Sequence, residues 1–208
     1  MSVFEKIRDR SKGFLKLSHH DMFHVDRVHR LAVQIAKLEK ADLDVVKAAV
    51  MLHDIARAME DEDEIEDHSI KGAEMAKKIL EEVGFPKKKI DRVVHCIEAH
   101  RYKKGTKTES LEAKILQDAD RLDIIGAIGV ARVFMRGGWG NTPMYDPSIP
   151  PKIRYDGKSE TCVNHIFEKI LKVKDTLNTA TAREIAKSRH NFVEKFLDKF
   201  FKEWKGET

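Results

Sequence analysis

The sequence predicts an all-α protein, and three observations indicate this class. Apolar residues recur at the three- and four-residue spacings of an amphipathic helix along most of the chain. No segment shows the strict alternation of apolar and polar residues that marks a half-buried strand. Aspartates precede several of the periodic segments, where their side chains can cap helix N-termini. We therefore expect a helical bundle with additional C-terminal helices.

The first two predicted helices carry histidines in their inner, apolar stripes. The helix that follows the capping Asp21 has the stripe His24, Val28, Leu31 and Ile35. The helix that follows Asp42 has the stripe Val46, Val50 and His53. Each histidine occupies a position where an apolar residue is expected, and Asp54 lies one residue further along. Both imidazoles should point into the protein.

Two further helices are predicted after an acidic loop, Glu60 to Glu66. The first runs from about Asp67 to Gly84. The second places Val93, Ile97 and His100 on one face, so His100 should also point inward.

The remainder of the chain predicts one long helix, a loop and two C-terminal helices. The long helix should run from about Ser110 to Arg136, where glycines at positions 137, 138 and 140 would end it. Residues 137–158 are rich in Gly and Pro and form a longer connection than usual, which is compatible with a lid. Two helices should cover about 159–205, separated near Thr179.

Length and composition favour a single domain over residues 1–208, with a core at about 18–136. No apolar run approaches the roughly 20 residues of a membrane span, and the N-terminus lacks the apolar segment of a signal peptide. We therefore expect a cytoplasmic protein without a membrane partner. Cys96 and Cys162 should both be free thiols. The sequence leaves open whether the chain forms a homo-oligomer.

Charge and motifs exclude several function classes. The net charge is +4, from 39 basic and 35 acidic residues, and only Lys87 to Lys89 form a basic run, so a nucleic-acid partner is not expected. No P-loop motif is present, and neither cysteine has the setting of a catalytic nucleophile. Binding of a nucleotide through a P-loop is therefore excluded, and covalent cysteine catalysis is not expected.

Inward histidines on two helices, one of them followed by Asp54, indicate a metal site. Burying an unpaired imidazole costs desolvation energy, whereas a bound cation satisfies its nitrogen. Carboxylates on a later helix, at Asp118, Asp120 and Asp123, can complete the coordination. Residues two apart on a helix point roughly 200° away from each other, so Asp118 and Asp120 should not share one ion.

The order of these motifs resembles the HD hydrolase superfamily, which has a histidine, a His-Asp pair on the next helix and a distal aspartate. The matching segments are HHDMFHVDRV, AAVMLHDIA and LEAKILQDADRLDIIGAIGVARVF. The resemblance implies metal ligands at His24, His53, Asp54 and, from its Ala-Asp-Arg context, Asp120. Asp118 then becomes a supporting or capping residue, and Asp123 a candidate for orienting a ligand or contacting substrate.

Two further histidines are similar to those of superfamily members that hold two metals. His68 precedes Gly72 and Ala73, small residues that permit close approach, and His100 is the inward residue of the fourth helix. The alternatives are that these histidines contact phosphate or pair with carboxylates. Arg27 and Arg121 lie near the proposed ligands, as do Arg57, Lys71 and Arg101, and each could hold phosphate or form an ordinary ion pair.

The sequence thus predicts a metal-dependent phosphohydrolase that acts on a nucleotide or another small phosphate compound, with Asp54 as both ligand and catalytic group. Mixed imidazole and carboxylate ligands favour Mn or Fe, with Co, Ni, Zn or Mg as alternatives. Two rival hypotheses remain. One is a diiron oxygenase of the same superfamily, and the other is a non-catalytic sensor of nucleotide or nucleic acid.

Overall fold

The computed structural model describes residues 1–17, 20–101 and 107–207, and for residues 16, 17 and 20 it describes the backbone alone. Helices dominate these ranges, which confirms the all-α prediction. The α-helices, in chain order, are α1 Val3–Lys12, α2 Met22–Glu39, α3 Leu43–Leu52, α4 Arg57–Asp61, α5 His68–Glu82, α6 Lys87–Glu98, α7 Leu111–Asp123, α8 Gly126–Trp139, α9 Cys162–Glu168 and α10 Ala180–Trp204. A 3₁₀ helix covers Ile170–Thr176.

Two strands of two residues each, β1 (Lys16–Leu17) and β2 (His20–Asp21), pair antiparallel before α2. The sequence did not predict this ribbon, because two residues are too few to show a period. The ribbon leads directly into the cap of α2, where Asp21 Oδ1 accepts a hydrogen bond from the His24 backbone N–H at 2.9 Å. The cap fixes the first turn of α2 and with it the position of His24.

The predicted helix starts at Asp42, Asp67 and Thr179 are confirmed, because each side chain caps the helix that follows it. Asp42 accepts from the N–H groups at positions 44 and 45, Asp67 from position 69 and Thr179 from position 182. These side chains satisfy N–H groups that have no partner inside the helix.

The prediction of one long helix from 110 to 136 was wrong. The chain leaves α7 after Asp123 and re-enters α8 at Gly126, whose φ of +82° belongs to the left-handed region. Gly137 lies inside α8 and does not end it. A Cβ atom at Gly137 would lie 2.1 Å from Cys162 Sγ, so this glycine permits the close approach of α9.

The acidic loop was also placed incorrectly, since Glu60 and Asp61 belong to the short helix α4. The long Gly/Pro-rich connection begins only after Trp139, and it is fastened to α9. Cys162 and Val163 donate backbone N–H bonds to the carbonyls of Pro143 and Met144, at 2.9 and 3.0 Å.

The chain forms two compact units, Met1–Asp120 and Arg121–Thr208. In the first, α3 packs against α2 and α6, and α5 packs against α6. Ion pairs support this unit away from its centre: Lys89 Nζ lies 2.8 Å from carboxylate oxygens of both Asp42 and Asp44, and Arg92 donates to Glu112 at 3.0 Å. The helical core around these contacts positions the histidines described below.

In the second unit, α8 packs against α9 and α10, and the 3₁₀ helix packs against α9 and α10. Thr179 separates the 3₁₀ helix from α10, as predicted. Whether the two units act as a single domain stays a prediction. Among the described residues, no helix is long and apolar enough to cross a membrane.

Candidate metal centre

The centre of the first unit holds imidazoles from separate elements. His24 lies in the first turn of α2, and His53 caps the C-terminus of α3. Both are almost completely buried, and their ring centroids lie 5.5 Å apart. The apolar stripes that predicted inward histidines therefore converge as expected.

Carboxylates from two segments meet these imidazoles. Asp54 Oδ2 lies 3.2 Å from His53 Nε2 and 3.6 Å from His24 Nε2. Asp120, on α7, places Oδ1 3.5 Å from His24 Nε2. One ligand atom from each of His24, His53 and Asp54 lies within 4.8 Å of the others, so a small cation can contact all three, and Asp120 adjoins the group at His24.

The other oxygen of Asp54 faces a second pair of histidines. His68, the first residue of α5, and His100, just beyond α6, place their Nε2 atoms 3.5 and 3.7 Å from Asp54 Oδ1. These two Nε2 atoms are 3.2 Å apart. Asp54 therefore lies between two sets of imidazoles, one set facing each carboxylate oxygen.

The hydrogen bonds of the ring nitrogens fix the tautomers. His53 Nδ1 lies 2.8 Å from the Val50 carbonyl, and His100 Nδ1 lies 2.6 Å from the Ile97 carbonyl. A carbonyl oxygen can only accept, so each Nδ1 carries a proton, and in the neutral ring each Nε2 presents a lone pair. His68 Nδ1 lies 2.7 Å from Glu60 Oε2. An ionised carboxylate also can only accept, so His68 Nδ1 carries a proton as well.

In the neutral rings the Nε2 lone pairs face each other and the carboxylate oxygens, and these groups repel one another unless a proton or a cation lies between them. Nε2 of His53 is buried and makes no hydrogen bond within the described part of the chain. An unpaired buried nitrogen is costly, and a metal ion removes the cost by accepting the lone pair. The residues present therefore fit a divalent metal.

The pKa shifts agree with a centre that attracts positive charge. Burial lowers the pKa of His53, but the nearby Asp54 and Asp120 carboxylates outweigh this effect and raise it to about 9. Burial raises the pKa of Asp120, yet the imidazoles of His24 and His53 hold it below its ordinary value. A metal ion can take the place of the stabilised proton.

The pKa of His68 is shifted in the opposite direction to that of His53. Burial, with the His100 imidazole as a further cause, lowers the pKa of His68 to about 4, although the Asp54 carboxylate and Glu60 oppose the shift. His68 is therefore neutral at pH 7, which is the form that ligates a metal.

Four further predicted candidates have the following positions in the described structure. Asp118 is completely buried on α7, whereas the Asp120 side chain is 30% exposed. Asp123 belongs to the second unit, where it pairs with Arg132 at 2.6 Å. Arg121 also belongs to the second unit, and its guanidinium donates to the Thr176 carbonyl. Arg27 is half-buried on α2, one turn after His24.

The other basic candidates form ion pairs, the more ordinary of their two predicted roles. Arg57 pairs with Asp61 at 2.9 Å, and Lys71 pairs with Glu74 at 3.1 Å. Arg101 donates two bonds of 2.7 Å to Glu60. Glu60 itself was not predicted as a site residue. It precedes His68 by eight positions, and no sequence pattern connects the two.

Comparison with known proteins supports a common origin for this site. The model of the HD domain family matches residues 22–125, the range that contains every histidine and aspartate of the cluster. The uncharacterized protein YpgQ of Bacillus subtilis is 36% identical over 97% of this chain and 94% of its own length.

Solved structures extend the similarity to the whole chain. An HD-superfamily hydrolase from Bacillus thuringiensis has 35% sequence identity and a TM-score of 0.79, covering 98% of this chain and 97% of its own. The structure of Bacillus subtilis YpgQ in complex with ADP has 33% identity and a TM-score of 0.76, covering 97% of this chain and 94% of that one.

Proposed function

The chain belongs to the HD domain family, and from this premise we propose that it is a metal-dependent phosphohydrolase acting on a nucleotide or another small phosphate compound. The observation that carries the proposal is the position of Asp54, whose two carboxylate oxygens face two different sets of buried imidazoles. The choice of a nucleotide is supported by the similar YpgQ structure, which holds ADP.

We assign the ligands of two ions. His24, His53, Asp54 and Asp120 would hold the first, and Asp54, His68 and His100 would hold the second, with Asp54 shared. Imidazole and carboxylate ligands suit Mn or Fe best, accept Co, Ni or Zn, and are less suited to Mg. When bound, such an ion polarises a phosphoryl oxygen and lowers the pKa of a water molecule.

The chain's own residues have separate tasks in this proposal. Asp54 accepts a hydrogen bond from the attacking water, which orients it toward phosphorus. His53 and His100 are held by their Nδ1–H bonds to backbone carbonyls, so their Nε2 atoms stay directed at the centre. Burial of these groups excludes bulk water and strengthens every electrostatic interaction in the site.

Substrate contacts are proposed on position alone. Arg27, one helical turn after His24, is the candidate for holding phosphate oxygens, while Arg121 and Asp123 are secondary candidates. The proposed setting is the cytoplasm, where nucleotides are abundant and both cysteines stay reduced.

A substrate screen tests the proposal. Protein stripped of metal and reloaded with Mn²⁺, Fe²⁺, Co²⁺, Ni²⁺, Zn²⁺ or Mg²⁺ is assayed for phosphate and pyrophosphate release from nucleoside mono-, di- and triphosphates. We expect release with Mn²⁺ or Fe²⁺ and at least one nucleotide, and none from Asp54→Asn. Absence of turnover with every metal would instead favour the sensor hypothesis.

A diiron oxygenase is the second candidate, favoured by the second set of imidazoles on Asp54. Loading with iron under anaerobic conditions and then adding oxygen distinguishes the two functions. An oxygenase consumes oxygen when its substrate is supplied, whereas the hydrolase releases phosphate at the same rate with and without oxygen when loaded with Mn²⁺.

A further inference from the structure

We propose that Glu60 is a positioning residue that fixes the His68 tautomer and so sets the affinity of the second ion. The inference rests on the proposed two-ion function and deepens it. Glu60 lies on α4, and its side chain is only 14% exposed. It touches none of the first ion's proposed ligands among the contacts described above.

The carboxylate of Glu60 receives four hydrogen bonds. Oε2 accepts from the His68 backbone N–H, from His68 Nδ1 and from Arg101, each at 2.7 Å, and Oε1 accepts from the second Arg101 nitrogen at 2.7 Å. Three of these donors meet Oε2 and one meets Oε1, so Oε2 has no site left for another partner. Glu60 therefore holds both the backbone and the ring of His68.

Of the three histidines of the metal centre with a described Nδ1 acceptor, His68 alone uses a side chain. His53 and His100 donate to backbone carbonyls, which no substitution removes. A charged acceptor also makes the opposite ring nitrogen more basic, which strengthens its bond to a metal. Glu60 thus offers a way to change the second ion's site while leaving the ligands of both ions in place.

The test uses Glu60→Gln, which keeps the shape of the side chain and removes its charge. Asp61→Asn is the matched control, since Asp61 is the next residue of α4 and a carboxylate paired with an arginine. Mn²⁺ titrations of the full chain, read by electron paramagnetic resonance, count the ions and give both affinities. Circular dichroism checks that each variant is folded.

We expect Glu60→Gln to bind the second ion roughly 10- to 100-fold more weakly, which is the usual effect of losing such a partner, and to bind the first ion as the wild type does. Asp61→Asn should match the wild type at both ions. Glu60→Asp, whose side chain is one methylene shorter, should lose the 2.7 Å contact with His68 Nδ1 and behave like Glu60→Gln, and it serves if the latter fails to fold.

A second readout needs no variant at Glu60. Nitrogen-15 NMR of the histidine rings in the metal-free full chain should show His68 protonated at Nδ1, with the signal assigned by its loss in His68→Gln. Protonation at Nε2 would overturn the inference. So would wild-type affinity for the second ion in Glu60→Gln, equal weakening in Asp61→Asn, or a wild type that binds one ion only.

The outcomes separate this inference from the proposed function. Selective weakening of the second ion without any detectable phosphate release supports the role of Glu60 and contradicts hydrolysis. Phosphate release together with unchanged second-ion affinity in Glu60→Gln supports hydrolysis and contradicts the role of Glu60.

Discussion

The choice between Asp118 and Asp120 is the sharpest question at the scale of single residues. Asp120 Oδ1 lies 3.5 Å from His24 Nε2, whereas Asp118, two residues earlier, points roughly 200° away around the helix. Asp120→Asn should therefore lose the first ion, and Asp118→Asn should retain it. Metal analysis of both purified variants makes the comparison. If Asp118→Asn is the variant that lacks metal, the assignment of the distal ligand is wrong.

Asp54 should differ from Asp120 in the number of ions that depend on it. Because Asp54 faces both sets of imidazoles, we expect Asp54→Asn to lose both ions, and Asp120→Asn to lose one. The count of Mn²⁺ per chain after dialysis measures this difference. Equal metal content in the two variants would contradict a shared carboxylate.

The burial of the two cysteines gives a prediction on their reactivity. Both are free and buried, as the sequence predicted for a reducing compartment. Burial raises the pKa of the Cys96 thiol to about 12 and also raises that of Cys162. At pH 8 the reactive thiolate of Cys96 is then on the order of one part in ten thousand, so native protein should resist a disulfide reagent. In denatured protein both thiols should react, so two equivalents of reagent are consumed per chain. Rapid reaction of the native protein would contradict the burial of the thiols.

Much of the site could be predicted from single residues, because the positions of His24 and His53 in apolar stripes direct them inward. The role of Asp54 as a residue shared between two sets of imidazoles could not be read from the sequence. Neither could Glu60, whose contact with His68 depends on α4, a helix of one turn between two longer ones. This segment is too short for hydrophobic periodicity to reveal a helix.

At the scale of elements, the glycines of α8 show why local rules fail. Glycine disfavours a helix by only about 1 kcal/mol, so packing against neighbouring helices can keep it in one. Gly137 was predicted to end the helix but instead gives α9 room to approach. The true break lies at Gly126, whose positive φ no hydrophobic pattern reveals. The capped starts of α2, α3, α5 and α10 were predictable, because capping depends on neighbouring residues alone.

A pair of adjacent glycines tests the packing of α8 against α9. Gly137→Ala would bring its Cβ to 2.1 Å from Cys162 Sγ, and we expect a loss of about 1–3 kcal/mol in the free energy of unfolding. Gly138→Ala is the matched control, since a Cβ there meets no atom within 4 Å. It should stabilise the helix by about 0.5–1 kcal/mol. Urea unfolding measures both.

A second substitution tests whether Cys162 causes the expected destabilisation of Gly137→Ala. Cys162→Ala removes the Sγ atom, so Gly137→Ala should cost less in that background than in the wild type. Equal costs in the two backgrounds would show that the contact between Gly137 and Cys162 does not limit the packing.

At the scale of the whole molecule, every proposed metal ligand lies in the first compact unit, Met1–Asp120. The family match ends nearby, at residue 125, and leaves most of the second unit outside. Composition could not predict this division, because it falls within the continuous helix α7 and no linker marks it.

Metal binding should stabilise the folded chain. At a Mn²⁺ concentration about 100-fold above its dissociation constant, a single site contributes about 2.7 kcal/mol. For a chain of this length this corresponds to a rise in Tm of roughly 5–10 °C. Thermal unfolding followed by circular dichroism should show the rise in the wild type and its absence in Asp54→Asn. An equal rise in both would place the metal elsewhere.

The central claim is that this site hydrolyses a phosphate compound with the help of a divalent metal. Phosphorus-31 NMR of turnover in ¹⁸O-labelled water tests it most directly, using Mn²⁺-loaded wild type, the metal-free wild type and Asp54→Asn. We predict that only the metal-loaded wild type converts a nucleotide, and that ¹⁸O enters a phosphoryl group of the product. Failure of every nucleotide and metal combination to react, or equal turnover by Asp54→Asn, would contradict the account.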